Sequence, residues 1–336
     1  MWRDELTRRF PALATLGPSS YVVGGAIRDL LLGREPLDVD VACLDPLAAA
    51  RSLHSKVIRL GDQEHLSAYR VVLPEHVYDF AGLLDGNIDA DLERRDFTVN
   101  AMAVDLAHDT LLDPHGGQRD VRDRVVRMVH AGNFDDDPLR TLKGVRMAVK
   151  YGMAIDDATV LAIRERAPKI VHVAKERVMY ELSVIFSSGA FRKAIGLLHR
   201  TALDEVLGIR TGEFHADDVS FAGAIALAGG DRWGWSRAFL RDVHALRRLI
   251  EHHDRIALYD AGESVARQLP AVLRALGRDD SLDMPDFSIR PLLTGEEIGI
   301  APGPELGRVK RALLEAQVRG EVTTREEAER FVTLIS

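Results

Sequence analysis

Residues 21–40 read YVVGGAIRDLLLGREPLDVD. Three apolar β-formers lead into a Gly-Gly turn. A short helix follows that carries Arg28 and Asp29, and a second strand then carries Asp38 and Asp40. Residues i and i+2 of a strand point to one face, so the two carboxylates converge on a small volume. Oxygen donors arranged in this way suit Mg²⁺ held against a phosphate chain. A bare D-x-D reads equally well as a solvated strand face. The Gly24-Gly25 lead-in with Arg28 and Asp29 favours the phosphate reading, because a Gly-Gly turn lets backbone N–H groups approach a phosphate at a helix start.

Working outward, the chain has 336 residues, enough for two or three domains, and 46% hydrophobic residues, enough for cores of ordinary size. The net charge of −8 argues against indiscriminate nucleic-acid binding, which needs many Lys/Arg–phosphate contacts. Local basic surface remains at KGVRMAVK (143–150), RERAPKIVHVAKER (163–177) and RAFLRDVHALRR (237–248), each of which is also readable as an ordinary solvated helix face. Cys43 is the only cysteine, so no intramolecular disulfide forms. The N-terminal MWRDELTRRF lacks an apolar signal region, and no run approaches the ~20 apolar residues of a membrane span. A cytoplasmic protein without membrane contact is the expectation.

Residues 1–130 alternate helical and strand patterns, with strands expected at VIRL (57–60), YRVVL (69–73) and VYDFA (77–81) and turns at Gly33–Pro36, Gly61–Asp62 and Pro114–Gly117. After residue 134 the strand signals stop, and apolar residues recur at helical spacing, as in AFRKAIGLLHRTALDEVL. A mixed α/β head followed by an all-α remainder is predicted.

The opening stretch, ERRDFTVNAMAVD (93–105), LLDPHGGQRDVRDRVVRMV (111–129), FDDDPLRTLKGVRMAVKYG (134–152) and ERVMYEL (176–182) occur in an order that resembles the class II CCA-adding tRNA nucleotidyltransferases and bacterial poly(A) polymerases. A weaker match returns at 292–328, and roughly 205–285 is not distinctive. The resemblance implies a nucleotidyltransferase head with a small mixed sheet (1–130), a helical neck carrying the base-reading residues (131–200) and a helical body and tail that binds tRNA (201–336). It also implies Mg²⁺, CTP with or without ATP as nucleotide donors, and the tRNA 3′ end as acceptor.

Carried over position by position, the resemblance makes Asp38 and Asp40 the metal ligands. Asp79 of VYDFA is a third carboxylate, readable equally as a capping or surface residue. Gly24, Gly25, Arg28 and Arg95 match positions that hold the triphosphate, while Asp96 and Asn100 order the site or meet the ribose. Arg94 reads as a surface residue, and Gly116, Gly117 and Asp120 as a turn supporting the head. Glu176, Arg177 and Glu181 read as a structural clamp between neck and head.

Asp137 and Arg140, i and i+3 on a helix that Pro138 can begin, resemble the family's amino-acid template for the incoming base. A carboxylate accepts from the exocyclic amine of cytosine or adenine, and a guanidinium donates to the adjacent ring acceptors. Uracil and guanine would set acceptor against acceptor, so CTP and ATP are selected.

The chain departs from the family pattern in three places. Asp136 stands where glutamate is usual, and Lys143 where arginine is usual, so a planar fork is replaced by a point charge. Arg146 matches, but lies nine residues from Asp137 and so serves phosphates or an adjoining segment. Only AGLLDGNIDADL separates VYDF from ERRDF, where CCA-adding relatives carry a longer segment with a flexible loop. Relatives that stop after CC have it shortened, so a CC-adding enzyme is the closer match, with CCA addition still open. A poly(A) polymerase, a catalytically silent RNA-binding protein and transfer to a non-RNA acceptor are the alternatives. His252, His253 and Asp254 lack further ligands for a phosphohydrolase centre and read as a helix face.

Overall fold

Val39 and Val41 alternate with Asp38 and Asp40 along one strand, and this period of two decides which face of the sheet becomes chemistry. The computed structural model describes residues 2–60 and 68–336. The strands are β1 (Ser20–Val23), β2 (Asp38–Cys43), β3 (Ile58–Leu60), β4 (Ala68–Val72), β5 (Val77–Gly82), β6 (Ala103–Asp105) and β7 (Thr110–Leu112). They form one sheet in the order β3-β4-β5-β2-β1-β6-β7. Only β2 and β5 run parallel; every other neighbouring pair is antiparallel. The mixed sheet expected of the head is present, and the three strands read beyond β2 fall within a residue of β3, β4 and β5. The turn expected at Gly61–Asp62 lies outside the described residues.

The sheet buries Val39, Val41, Val71, Phe80 and Val104 completely. On the other face Val23, Ala42 and Ala103 pack with Leu92 of the helix Ile88–Glu93. Val23 is the register partner of Asp40, and Ala42 stands two residues along from it. Paired residues share a face, so the helix lies on the Asp38/Asp40 face and delivers the Arg94-Arg95 turn beside it.

One strand does follow residue 134, against expectation. β9 (Ala154–Ile155) pairs in parallel with β8 (Val125–Val126). Two residues are too short for a periodic signal; backbone pairing alone makes them a strand.

The chain divides into two compact units, residues 1–181 with 200–206, and residues 182–199 with 207–336. The first unit holds the sheet together with helices Leu139–Lys150 and Asp157–Arg166, so the stretch read as head and most of the stretch read as neck pack as one body. The second unit is helical, with its longer helices at Arg237–Glu251, Pro304–Arg319 and Arg325–Ile335. Its last two helices close over Val309, Leu313, Ala328 and Val332. Thr324 and Glu327 form a capping box at the final helix. In the basic segment 237–248, Arg247 is bound to Asp231 and to the Ile225 and Ala226 carbonyls, which leaves Arg237, Arg241 and Arg248 as its exposed cations. Asp254 caps the helix Arg255–Ala261 and accepts from His252, an ordinary capping arrangement. Among the described residues no helix is long and apolar enough to cross a membrane.

Candidate active site

Asp40 is the register partner of Asp79 across the parallel β2–β5 pair, and Asp38 stands two residues away on the same face. Three carboxylates therefore share one face of the sheet, on two neighbouring interior strands. Burial pushes the Asp40 carboxyl up to about 6, with Arg95 opposing the rise and Asp79 and Asp38 adding to it. Asp79 differs from its neighbour. Its two oxygens accept from Arg70 Nε at 2.8 Å and Nη2 at 2.7 Å. Asp79, the candidate third carboxylate, thus already meets a guanidinium fork from β4. Arg70 and Asp79 are antiparallel register partners nine residues apart, a relation that appears only once the hairpin is paired.

Gly24 is the hinge of the site. Its φ of 75° is in the region that side chains disfavour, and a Cβ there would lie 2.8 Å from Arg95 Nη1 and 3.6 Å from Asp40 Oδ2. The missing side chain lets an arginine and an aspartate approach one point. The Gly24 N–H donates to the Met102 carbonyl, so it is committed to the fold and is not offered to a phosphate as expected.

Arg28, which matches a triphosphate-holding position, is buried at 7% exposure and already engaged within the protein. Its guanidinium donates to Asp29 Oδ1 at 2.9 Å, Asn100 Oδ1 at 2.6 Å and the Tyr151 hydroxyl at 2.5 Å. Asn100 Nδ2 passes the connection to Asp96 Oδ1 at 3.0 Å. Arg28, Asn100 and Asp96 are thus one buried network with Tyr151, a residue the sequence did not single out. Asp29 anchors Arg28.

Arg95 reaches the cleft from a turn held on several sides. Asp91 accepts from its Nε and Nη2, and its Nη1 donates to the Asn100 carbonyl at 3.3 Å. The Asn133 amide donates to the carbonyls of Glu93 and Arg95, while the Glu93 carboxylate meets His115 and His130. Below, Thr98 and Arg127 both donate to buried Asp120. A Cβ on Gly117 would fall 2.3 Å from the Thr98 carbonyl, so only glycine fits. The Gly-Gly segment read as a support for the head holds up the turn that carries Asp96 and Asn100.

A cleft of about 940 Å³ opens alongside, lined by Arg94, Arg95, Asp96, Asp137, Arg140 and Lys143 and walled by residues 44–47 and 81–85. Arg94, read as a surface residue, lines it. Asp137 and Arg140 both line it, but not as neighbours on one helix. Asp137 is extended (φ −141°, ψ 93°) and precedes the helix Leu139–Lys150. Its carboxylate accepts from Arg177 Nη2 at 2.9 Å, with Lys143 Nζ at 3.9 Å. Arg140 Nη1 donates instead to the Asn133 carbonyl. Pro138, lacking an N–H, fits at the helix start and leaves Asp137 outside it. Arg146 points away from the cleft. Its Nε lies 2.7 Å from the carboxylate of buried Glu181, so it serves the adjoining segment. Arg177, read only as a clamp, is a direct partner of the candidate base reader.

Among the described residues no group of three or more His, Cys, Asp or Glu side chains is arranged as a metal cage. Asp38 and Asp40 alone suit a divalent cation of the kind that takes one or two carboxylates and completes its shell with substrate phosphates. Asp38 and Asp40 are both exposed and lie on one face beside Asp79, where a cation would offset their like charge.

Carboxylates gathered on one face of the sheet, beside a cleft of mixed charge with a donor and an acceptor in its wall, suit a nucleotidyltransferase. The comparisons agree. The Poly A polymerase head domain matches residues 20–81 and 63–127, and the probable RNA and SrmB-binding site of polymerase A matches residues 152–207. The A-adding tRNA nucleotidyltransferase of Deinococcus radiodurans is 32% identical over 97% of both chains. The CC-adding tRNA nucleotidyltransferase of Synechocystis sp. is 39% identical over 52% of this chain and 44% of its own length. The crystal structure of the Bacillus stearothermophilus CCA-adding enzyme in complex with CTP superposes with a TM-score of 0.77 at 26% identity, covering 98% of this chain and 96% of that one. The chain belongs to the class II family of CCA-adding tRNA nucleotidyltransferases and bacterial poly(A) polymerases.

Proposed function

We propose that this protein transfers CMP from CTP to the 3′ end of tRNA and stops after the second C. In that reaction the terminal 3′-oxygen attacks the α-phosphorus of CTP. A new P–O bond forms, the bond to pyrophosphate breaks, and the hydroxyl proton is lost to solvent or a carboxylate. Asp38 and Asp40 would hold Mg²⁺, which when bound supplies charge neutralisation at the triphosphate and a more acidic 3′-hydroxyl. Arg95 faces the developing charge on the phosphates from a turn that is pinned in place. Asp137 accepts from the cytosine amine, and Arg140 with Lys143 donates to its ring acceptors. Arg28 and Asn100 act behind them by fixing Asp96 and the Gly-Gly turn.

The observation that carries the choice of product is the connection from β5 to Arg94. It is filled by a helical turn at Leu84–Gly86 and the helix Ile88–Glu93, with Asp91 and Arg94 already lining the cleft. No stretch remains there for a loop that could re-aim the base readers toward ATP. A second reading, addition of A alone, is favoured by the 32% identity to the A-adding enzyme along the whole chain.

Primer extension separates the two. Transcripts ending at the discriminator base, after one C and after CC are incubated with Mg²⁺ and labelled CTP or ATP. CMP on the first two and no AMP on the third is the expected result. AMP on the CC-ended transcript alone would establish the second reading, and a long A run would make the enzyme a poly(A) polymerase.

A further inference from the structure

Tyr180 is the aromatic residue that the base-reading argument leaves over. It lies on the helix Lys175–Phe186, three residues past Arg177, and is 62% exposed. Its ring lines a second cavity, of about 340 Å³, together with Leu139, Lys143, Glu176, Arg177 and Glu181. Lys143 lines this cavity and the 940 Å³ cleft alike. Arg177, in its wall, is hydrogen-bonded to Asp137 in the cleft. The two spaces therefore adjoin through the side chains that would read the incoming base.

The second cavity has the size of one nucleotide. Leu139 and the Tyr180 ring supply apolar faces, and Lys143 and Arg177 supply cations at its border with the cleft. Aromatic faces stack any base regardless of sequence, and neighbouring cations suit the phosphate that joins one nucleotide to the next. Of the two carboxylates in the lining, Glu176 and Glu181, the second is paired with Arg146. Resting on the nucleotidyl-transfer reading, we infer that Tyr180 is a stacking platform for a base of the acceptor strand next to the reacting 3′ end, holding the primer one nucleotide from the site read by Asp137 and Arg140. This tolerance matters, because the terminal base changes with every nucleotide added.

The test uses the full chain with a tRNA acceptor-stem minihelix carrying 2-aminopurine as its 3′-terminal base, whose fluorescence falls when it stacks. The parent protein and Y180F should quench the probe, and Y180A should not. In primer extension, Y180A should raise the KM for the acceptor about tenfold, the loss of one base stack, while the KM for CTP stays within about twofold. Y180F should return the acceptor KM to within about twofold of the parent. Unchanged quenching and unchanged acceptor KM in Y180A would overturn the platform, as would a Y180F as impaired as Y180A, which would assign the effect to the hydroxyl. The two readings fail separately. A parent that quenches the probe but extends no transcript loses the proposed transfer and keeps the platform. A parent that extends transcripts without quenching loses the platform and keeps the transfer.

Discussion

The carboxylate face and the Asp137–Arg140 segment are built on opposite terms. On that face a parallel strand pair sets Asp40 beside Asp79 and leaves the Asp40 carboxyl raised to about 6, because desolvation and like charge outweigh Arg95. Nothing in the protein fully answers that charge. In the Asp137–Arg140 segment the protein engages both side chains itself, Asp137 through Arg177 and Arg140 through one hydrogen bond to the Asn133 carbonyl. The carboxylates stand on paired strands of the sheet. The base readers are occupied and must exchange a protein partner for a base. The chemistry is thus fixed by sheet geometry, and selectivity is set by a competition between partners, which is where point mutations can retune it.

The hardest blow to this contrast is Asp40→Asn. Transfer should fall at least about a thousandfold, since one of two metal-holding carboxylates is lost. The same variant should be more stable without metal at neutral pH. The unfolded carboxyl ionises near its ordinary 3.8 and the folded one at about 6. As pH rises through that window the native state holds the extra proton, so stability falls, and the penalty is complete above about 6. Asp40→Asn removes the penalty. Allowing for solvent screening at this exposed side chain, the gain is about 1 kcal/mol at pH 7 and vanishes below the ordinary carboxylate pKa. Thermal melts against pH in chelator check it; a variant less stable than the parent at pH 7 would mean that Arg95 already satisfies the charge.

Arg140→Ala comes next. The ratio of CTP to UTP use should fall about 10–100-fold while the CTP rate falls less, because a buried mismatch at the base edge is no longer enforced. Competition assays with mixed nucleotides measure it. A variant that loses rate with its discrimination intact would move base reading elsewhere. Arg177→Ala sharpens the same point with a smaller effect. Arg177 is half-exposed, so its bond to Asp137 is weak, and freeing the carboxylate should shift the KM for CTP by about threefold with little change in kcat.

The sequence carried the strands, the Gly-Gly turn and the carboxylate pair because each rests on local spacing. Where it misplaced a side chain, the cause was a partner distant in the chain. Arg28 is 123 residues from Tyr151 and 72 from Asn100, so its burial could not be read from the turn it sits in. Asp79 looks like a free third ligand until β4 supplies Arg70 across the hairpin. Asp137 was placed on a helix by i, i+3 spacing, but Pro138 starts the helix one residue too late to include it. The Asp91–Arg95 pair, by contrast, is local, an i, i+4 match that the spacing itself makes legible.

The finest prediction concerns Tyr151, which ties the helix of Arg140 to the Gly-Gly turn. It closes that helix, and its hydroxyl accepts from Arg28, whose other arm holds Asn100. Its ring also stacks under the same guanidinium at 4.3 Å. Tyr151→Phe keeps the ring and removes only the hydroxyl. A buried guanidinium then loses one acceptor, costing about 1–2 kcal/mol of stability, read as a lower midpoint in denaturant. If Arg28 acts by fixing Asn100 and Asp96, kcat should fall severalfold, while the CTP/UTP ratio stays put because Asp137 and Arg140 lie at the other end of the helix. A fall in discrimination equal to the fall in rate would show that the two halves of the site move together and that the contrast between them is one of degree.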